Sequence, residues 1–437
     1  MENYSKMKNK FEVFDKFSPG CIIVLYVVFW FFCRLLKIGV TQRMIYASFI
    51  LTFLLLICNL IFNKKINLWY GDLIWLILIG IMIIHKNQEY DFNNILIIIA
   101  GYILSLACRN NLSYMKCIII SVALFSIINY VVNIISLIDI NMYEKLINKY
   151  MSTLYSKEAI GSTKYGYITG LAEHYSRNAY FCVAGLSVFF SLAFAGKNKK
   201  IFYIMSIAEL IMIMRIGKRG HLLFAVLTIV IVIIFAEPKL SKKGLRLLQL
   251  FLAATIILII INEFLPEVGF VFKRIADLSK TTDSSQGRFK AWKQAMTFFA
   301  QNPIIGIGYG GFTVESKKYL GMLYAGVHND YIQWLCEEGI IGFVLNAYLG
   351  ISIYIVTIKE YKVLVADKSK EGNIQQILIT WSLFFQTFVL TYSLTGLPHY
   401  DYEINTIYIL ACTIPIAFLW LYECRGIGIK GKNVRIK

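Results

Sequence analysis

The stretch "HNDYIQWLCEEGIIGFVLNAYLGISIYIV", residues 328–356, sets a histidine, an asparagine and three carboxylates ahead of an apolar run. Crossing a bilayer takes about 20 mostly apolar residues, and an ionisable group at its centre costs roughly 2.5–3.5 kcal/mol on insertion scales. The polar head therefore belongs at the edge of a membrane span, where such groups are retained for function rather than packing. Whether this reading holds depends on the rest of the chain.

It does. The 437 residues are 58% hydrophobic and only 16% charged, which excludes an ordinary soluble globule of this length. Apolar windows recur at 19–36, 44–63, 67–85, 93–108, 115–138, 178–195, 201–216, 221–236, 245–264, 339–358, 374–394 and 404–422. The expectation is an all-α polytopic integral membrane protein with about 12 transmembrane helices. It divides into a five-helix segment, 1–138, and a second membrane segment, 139–437. The polar first 18 residues and the lack of a small-residue cleavage pattern read the first span as a retained signal anchor.

With the N-terminus inside, the inner connections carry 24 Lys and Arg, the short outer ones 7, and two long outer loops (139–177 and 265–328) the other 13. The excess inside places both termini in the cytoplasm. The net charge of +18 follows from that bias and from attraction to anionic lipid rather than to nucleic acid. Nine cysteines without a CxxC pair give neither a disulfide framework nor a zinc site.

Three polar constellations fall on the outer side. "MRIGKRGH" places Arg215, Lys218 and Arg219 between the seventh and eighth spans, on one face if the helix continues through them. Gly217 and Gly220 permit a bend or a close backbone approach there. In "SSQGRFKAWKQAMTFFAQNPIIGIGYGGF" a helix runs from Ser284 or Ser285 towards Asn302 and Pro303. At 100° per residue, Trp292, Ala295 and Phe299 lie within about 40° of Arg288, while Lys290, Lys293 and Thr297 point away. An arginine at the centre of a buried stripe suits an anion better than a headgroup. The run Gly306 to Gly311 resembles a phosphate cradle only weakly, lacking a Walker lysine.

In the third constellation, Asn329 or Asp330 caps the helix and leaves His328 at its positive end, a place for anions and for proton exchange near neutral pH. Glu337 follows two turns later, and "HYDYE" adds Asp401 and Glu403 as candidates for binding an acceptor sugar. No carboxylate or histidine spacing on the outer side suggests a metal ligand set, and no cofactor is expected.

Together these residues resemble the O-antigen polymerase and ligase family, the Wzy and WaaL type of bacterial membrane glycosyltransferase. Its His-Asn, nine residues, Gly, two residues, Gly signature is met by His328, Asn329, Gly339 and Gly342. The upstream block is similar at Arg288, Trp292, Asn302, Pro303, Gly306 and Gly308. The family's Ser-Arg-Gly turn corresponds to Lys218, Arg219 and Gly220, with lysine replacing serine, and its Gly…Asn element to Gly170 and Asn178. The likeness covers about residues 165–360.

The resemblance implies a GT-C-like membrane fold with a catalytic outer loop, 265–338, containing short amphipathic helices. It implies a glycosyltransferase of the bacterial plasma membrane that takes an undecaprenyl-diphosphate-linked oligosaccharide as donor and joins repeat units into capsular, O-antigen or exopolysaccharide. A chain-length regulator and a flippase would serve the same pathway. His328 would be the base, Arg219 and Arg288 would bind the diphosphate, and Arg215, Lys218, Asn329, Trp292, Glu337 and Asp401 would contact substrate. A ligase delivering glycan to another acceptor shares the motif. A transporter or flippase of lipid-linked sugars is the alternative of another class, disfavoured by the lack of an internal repeat and by polar clusters at span ends.

Overall fold

The computed structural model describes residues 19–33, 42–63, 68–89, 92–196, 199–236, 244–245, 284–320, 326–366 and 374–423. Its helices are α1 (Pro19–Cys33), α2 (Gln42–Asn63), α3 (Tyr70–Ile84), α4 (Phe92–Cys108), α5 (Leu112–Ile138), α6 (Ile140–Tyr150), α7 (Thr153–Thr163), α8 (Tyr175–Ala195), α9 (Lys199–Ile216), α10 (Arg219–Ala236), α11 (Ser284–Gln301), α12 (Gly311–Leu320), α13 (Asp330–Ala366), α14 (Ile374–Tyr392) and α15 (Tyr402–Glu423). No strand occurs among the described residues. Eleven of the twelve expected spans coincide with a helix; the ninth, 245–264, and the loop portion 265–283 lie outside the described residues. Among the described residues seven helices are long and apolar enough to cross a membrane, and three shorter apolar helices join them. The chain is a multi-pass membrane protein.

Burial separates centre from periphery. Most of α8, α14 and α15 is enclosed, whereas α2, α10 and α13 turn much of their apolar surface outward. Ile84 and Ile138 are 87% and 80% exposed, the mark of a surface that meets lipid rather than water. The enclosed helices carry hydroxyls and amides that bond across helices, since hydrocarbon offers them no other partner. Trp381 Nε1 donates to Ser187 Oγ at 3.0 Å, Ser382 Oγ to the Ala411 carbonyl at 2.7 Å, and Gln386 Nε2 to Thr357 Oγ1 at 2.8 Å. At the start of α3, Asp72 takes a two-pronged contact from Arg109, at 2.6 and 2.7 Å, plus the Tyr102 hydroxyl at 3.1 Å. Both charges are buried, so removing either partner strands the other at a cost of about 3–5 kcal/mol.

The connections assigned to the outer side meet at one end. Tyr309 N donates to the His85 carbonyl and the Tyr309 carbonyl accepts from Asn87 N, Arg215 reaches Gly166, Arg177 reaches Asp401, and Asn329 reaches Leu394. Helices α8, α10, α13 and α15 are among those that begin at this end, and their first turns meet the turn joining α14 to α15 or the residues beside it. Their N-termini, each carrying about half a positive charge, converge there.

The long helix α13 is not continuous. Gly339 stands at φ 64°, ψ −166°, where its backbone leaves the helix. The segment 303–308 fills the break: Ile340 N donates to the Pro303 carbonyl at 2.9 Å, while Ile307 N and Gly308 N donate to the carbonyls of Cys336 and Glu337 at 3.0 and 2.9 Å. Backbone freed at membrane depth must find such partners within the protein. A Cβ on Gly306 would lie 2.4 Å from the Glu337 carbonyl carbon, and one on Gly339 would lie 2.3 Å from the Ile304 oxygen. The glycine run expected as a weak phosphate cradle is therefore a plug that lets two backbones touch. Gly339→Ala is expected to lower both the thermal midpoint and the yield of folded protein in detergent, as measured by size-exclusion chromatography. A monodisperse alanine variant of wild-type stability would contradict this reading of the break.

Candidate active site

His328 is exposed two residues ahead of α13, and it is the one non-glycine residue with positive φ, 58°, among the described residues. A side chain held in the left-handed region costs of order 1–3 kcal/mol and persists where its surroundings dictate it, commonly at functional sites. The surroundings here are specific. Trp292 Nε1 donates to the Val327 carbonyl at 2.9 Å, and Val327 N donates to Gln333 Oε1 at 3.0 Å. Asn329 caps α13 by accepting from Ile332 N at 3.1 Å and donates from Nδ2 to the Leu394 carbonyl at 3.0 Å.

The charges of Arg288 and Lys218 both act on His328. Partial burial, then Arg288, then Lys218 push the imidazole down to about 4. It is thus neutral at physiological pH, the form that accepts a proton. His174 is held down to about 4 as well, first by burial, then by Lys218, Arg177 and His328. These residues arrive from α8, the α9–α10 turn, α11 and the head of α13. Cations at converging helix N-termini suit a multiply charged anion.

The expected residues are not all equivalent. Arg215, Lys218 and Arg219 do not share a helical face, because Gly217 at φ 78° ends α9 and α10 begins after it. Arg215 donates to the Gly166 carbonyl at 3.2 Å, and Lys218 Nζ lies 4.2 Å from the Tyr175 ring centroid. Gly220 allows Tyr392 to approach, its Cβ position being 3.2 Å from that ring. On α11 the buried positions are Ala291, Ala295 and Phe298, with Arg288 and Trp292 half-buried beside them and Lys290, Lys293 and Thr297 exposed as expected.

Glu337 is fully buried and accepts from Gly310 N at 2.9 Å, Phe312 N at 3.0 Å and Gln333 Nε2 at 3.2 Å. It serves as the cap of α12, and its carboxylate is committed to the protein rather than turned to substrate. Asp401 is likewise engaged. It accepts from Arg177 Nε at 3.0 Å and from Ile404 N at 3.2 Å.

Sequence reasoning missed several neighbours. Arg177, on the first turn of α8, also pairs with Glu173 at 2.6 Å. Burial pushes Glu173 up to about 7 and Asp401 up to about 6, with Arg177 opposing the rise in both. The i,i+4 spacing of Glu173 and Arg177 at the mouth of a span was the available signal. Gly170, at φ 54°, sits among the amide oxygens of Asn129, Asn133 and Asn178. Leu171 N donates to Asn129 Oδ1 at 2.9 Å, and this shapes the loop entering α8. Among the described residues no group of three or more His, Cys, Asp or Glu side chains is disposed to hold a metal.

Fold and site define a helical membrane protein with a cationic, histidine-bearing cluster at one end. Residues 204–347 match the family model Wzy_C, described as O-antigen ligase. The match is consistent with the O-antigen polymerase/ligase family and with a membrane enzyme of glycan transfer. It takes in Arg215, Lys218, Arg219, Arg288, Trp292, His328, Asn329 and Glu337, and leaves out Arg177 and Asp401. No curated protein matches the chain.

Proposed function

We propose that this protein polymerises undecaprenyl-diphosphate-linked oligosaccharide repeat units at the outer face of the bacterial plasma membrane, with both termini in the cytoplasm. The observation that carries the reading is an exposed histidine held at φ 58° within the field of Arg288 and Lys218. His328 accepts the proton of an acceptor hydroxyl as that oxygen bonds to the anomeric carbon of the donor sugar. The bond from that carbon to the diphosphate oxygen breaks, and the electron pair leaves with the lipid diphosphate. Arg288, Arg219 and Lys218 meet the charge that develops there, the arginines by their planar forks. Asn329 and Trp292 fix the base, and Arg215 ties the α9–α10 turn to the loop at Gly166. Asp401 and Glu173, both paired with Arg177, brace the rim of the site rather than touch the acceptor.

A ligase reading is supported by the description of the matching family. It shares the donor half of the site and differs in the acceptor. Purified protein given only a lipid-linked repeat unit distinguishes the two: a ladder of longer lipid-linked glycans supports the polymerase, and product that needs a separate acceptor supports the ligase. A transporter of lipid-linked sugars would make no new glycosidic bond at all.

A further inference from the structure

We propose that Asp330 and His399 form a clamp that positions His328. The inference rests on His328 being the base, and it concerns His399, which the sequence analysis left without a role, and Asp330, which it read only as a helix cap.

The chain on either side of His328 is braced differently. The preceding residue, Val327, is held from within the loop region by Trp292 and Gln333. The following two are tied across the bundle to the turn joining α14 and α15. Asp330 N donates to the Ser393 carbonyl at 3.0 Å, and Asp330 Oδ2 lies 2.7 Å from Ser393 Oγ, 3.2 Å from His399 N and 2.8 Å from His399 Nδ1. Asp330 is fully buried, and the His399 ring is wedged edge-on between Trp334 and Tyr408, at 4.8 and 5.0 Å between centroids. A buried carboxylate met by two nitrogens of His399 and by the Ser393 hydroxyl, which it shares with the Val389 carbonyl, is costly to displace, because leaving the buried groups unmatched costs free energy. Two residues upstream, the backbone has no comparable freedom, which accounts for a histidine kept at φ 58°.

His399 also walls a cavity of about 90 Å³ with Trp75, Tyr331, Trp334, Asn346 and Tyr408. A rival role as a second proton-transfer group is thereby testable. Glutamine at 399 keeps an N–H donor towards Asp330 but cannot shuttle a proton, whereas leucine removes both.

The test uses the full chain in detergent and compares wild type, His399→Gln and His399→Leu. The first readout is the rate at which diethyl pyrocarbonate modifies His328, followed by peptide mass spectrometry. The second is turnover and donor KM on a lipid-linked repeat unit. The clamp predicts that His399→Leu changes the His328 modification rate by about tenfold and lowers kcat about tenfold to a hundredfold with donor KM little changed. His399→Gln should stay close to wild type in both readouts.

Wild-type behaviour of His399→Leu overturns the proposal. So does a His399→Gln variant as slow as leucine with an unaltered His328 modification rate, which marks His399 as a proton carrier. If wild-type protein forms no glycosidic bond, the functional reading fails, yet the modification rate still decides the clamp. Should His399→Leu not accumulate, Ser393→Ala carries the same comparison by removing one partner of the Asp330 carboxylate; an unchanged His328 modification rate there overturns the clamp.

Discussion

His328→Ala is expected to abolish glycan transfer, with the protein reaching the membrane at its normal level. General-base catalysis contributes about 10²–10⁴ in rate, and His328 is only partly enclosed, so its loss removes chemistry rather than packing. The pH profile gives the same assignment a second edge. Burial, Arg288 and Lys218 lower His328 to about 4, so the base is neutral at pH 7 and stays so as pH falls through the ordinary histidine range. The acid limb of kcat/KM should therefore lie well below 6.5. Bound diphosphate opposes the two cations, so the limb of kcat should lie higher than that of kcat/KM. Glu173 and Asp401 gain protons near 7 and 6, and an acid limb at those values that Glu173→Gln shifts would assign it to the rim around Arg177 instead. An active alanine variant would end the base assignment.

Arg288→Lys and Arg219→Lys should each lose about 10²–10³ in kcat despite keeping their charge. A guanidinium offers a planar pair of donors that spans two oxygens of a phosphoryl group, whereas an ammonium is a single hydrated point. The loss should be greatest at Arg288, whose charge reaches His328. Lys218 already stands where the resembling family has a serine, so Lys218→Ser should cost less than either arginine change. Near-normal turnover in both arginine variants would mean that they hold the protein to lipid headgroups.

Much of this architecture was readable before any coordinates. Apolar windows located eleven described helices because a membrane span needs a fixed length of hydrocarbon-compatible chain, and the outer assignments of five connections agree with their meeting at one end. The reading failed where a partner lay far off in sequence. Gly339 was legible as the start of a span but not as a break, because the carbonyls that meet it belong to residues 303–304. Arg215 looked coplanar with Lys218 until Gly217 took a left-handed turn between them. Asp401 looked open to a sugar, yet its partner Arg177 is 224 residues away. Asp330 read as a helix cap, and nothing local hinted at His399, 69 residues on. His328 was legible by its chemistry, whereas its strain belongs to the folded structure.

The central claim is that this chain forms glycosidic bonds using only energy already stored in a lipid-diphosphate donor, with its own cations meeting the leaving group. The direct measurement is a reaction of purified protein with one lipid-linked repeat unit, without nucleotide sugar, ATP or divalent cation and with a chelator present. The account predicts a ladder of longer glycans still on lipid diphosphate, with one undecaprenyl diphosphate released per bond and no ladder from His328→Ala. A ladder that appears only with added magnesium, or the same ladder from His328→Ala, would contradict it.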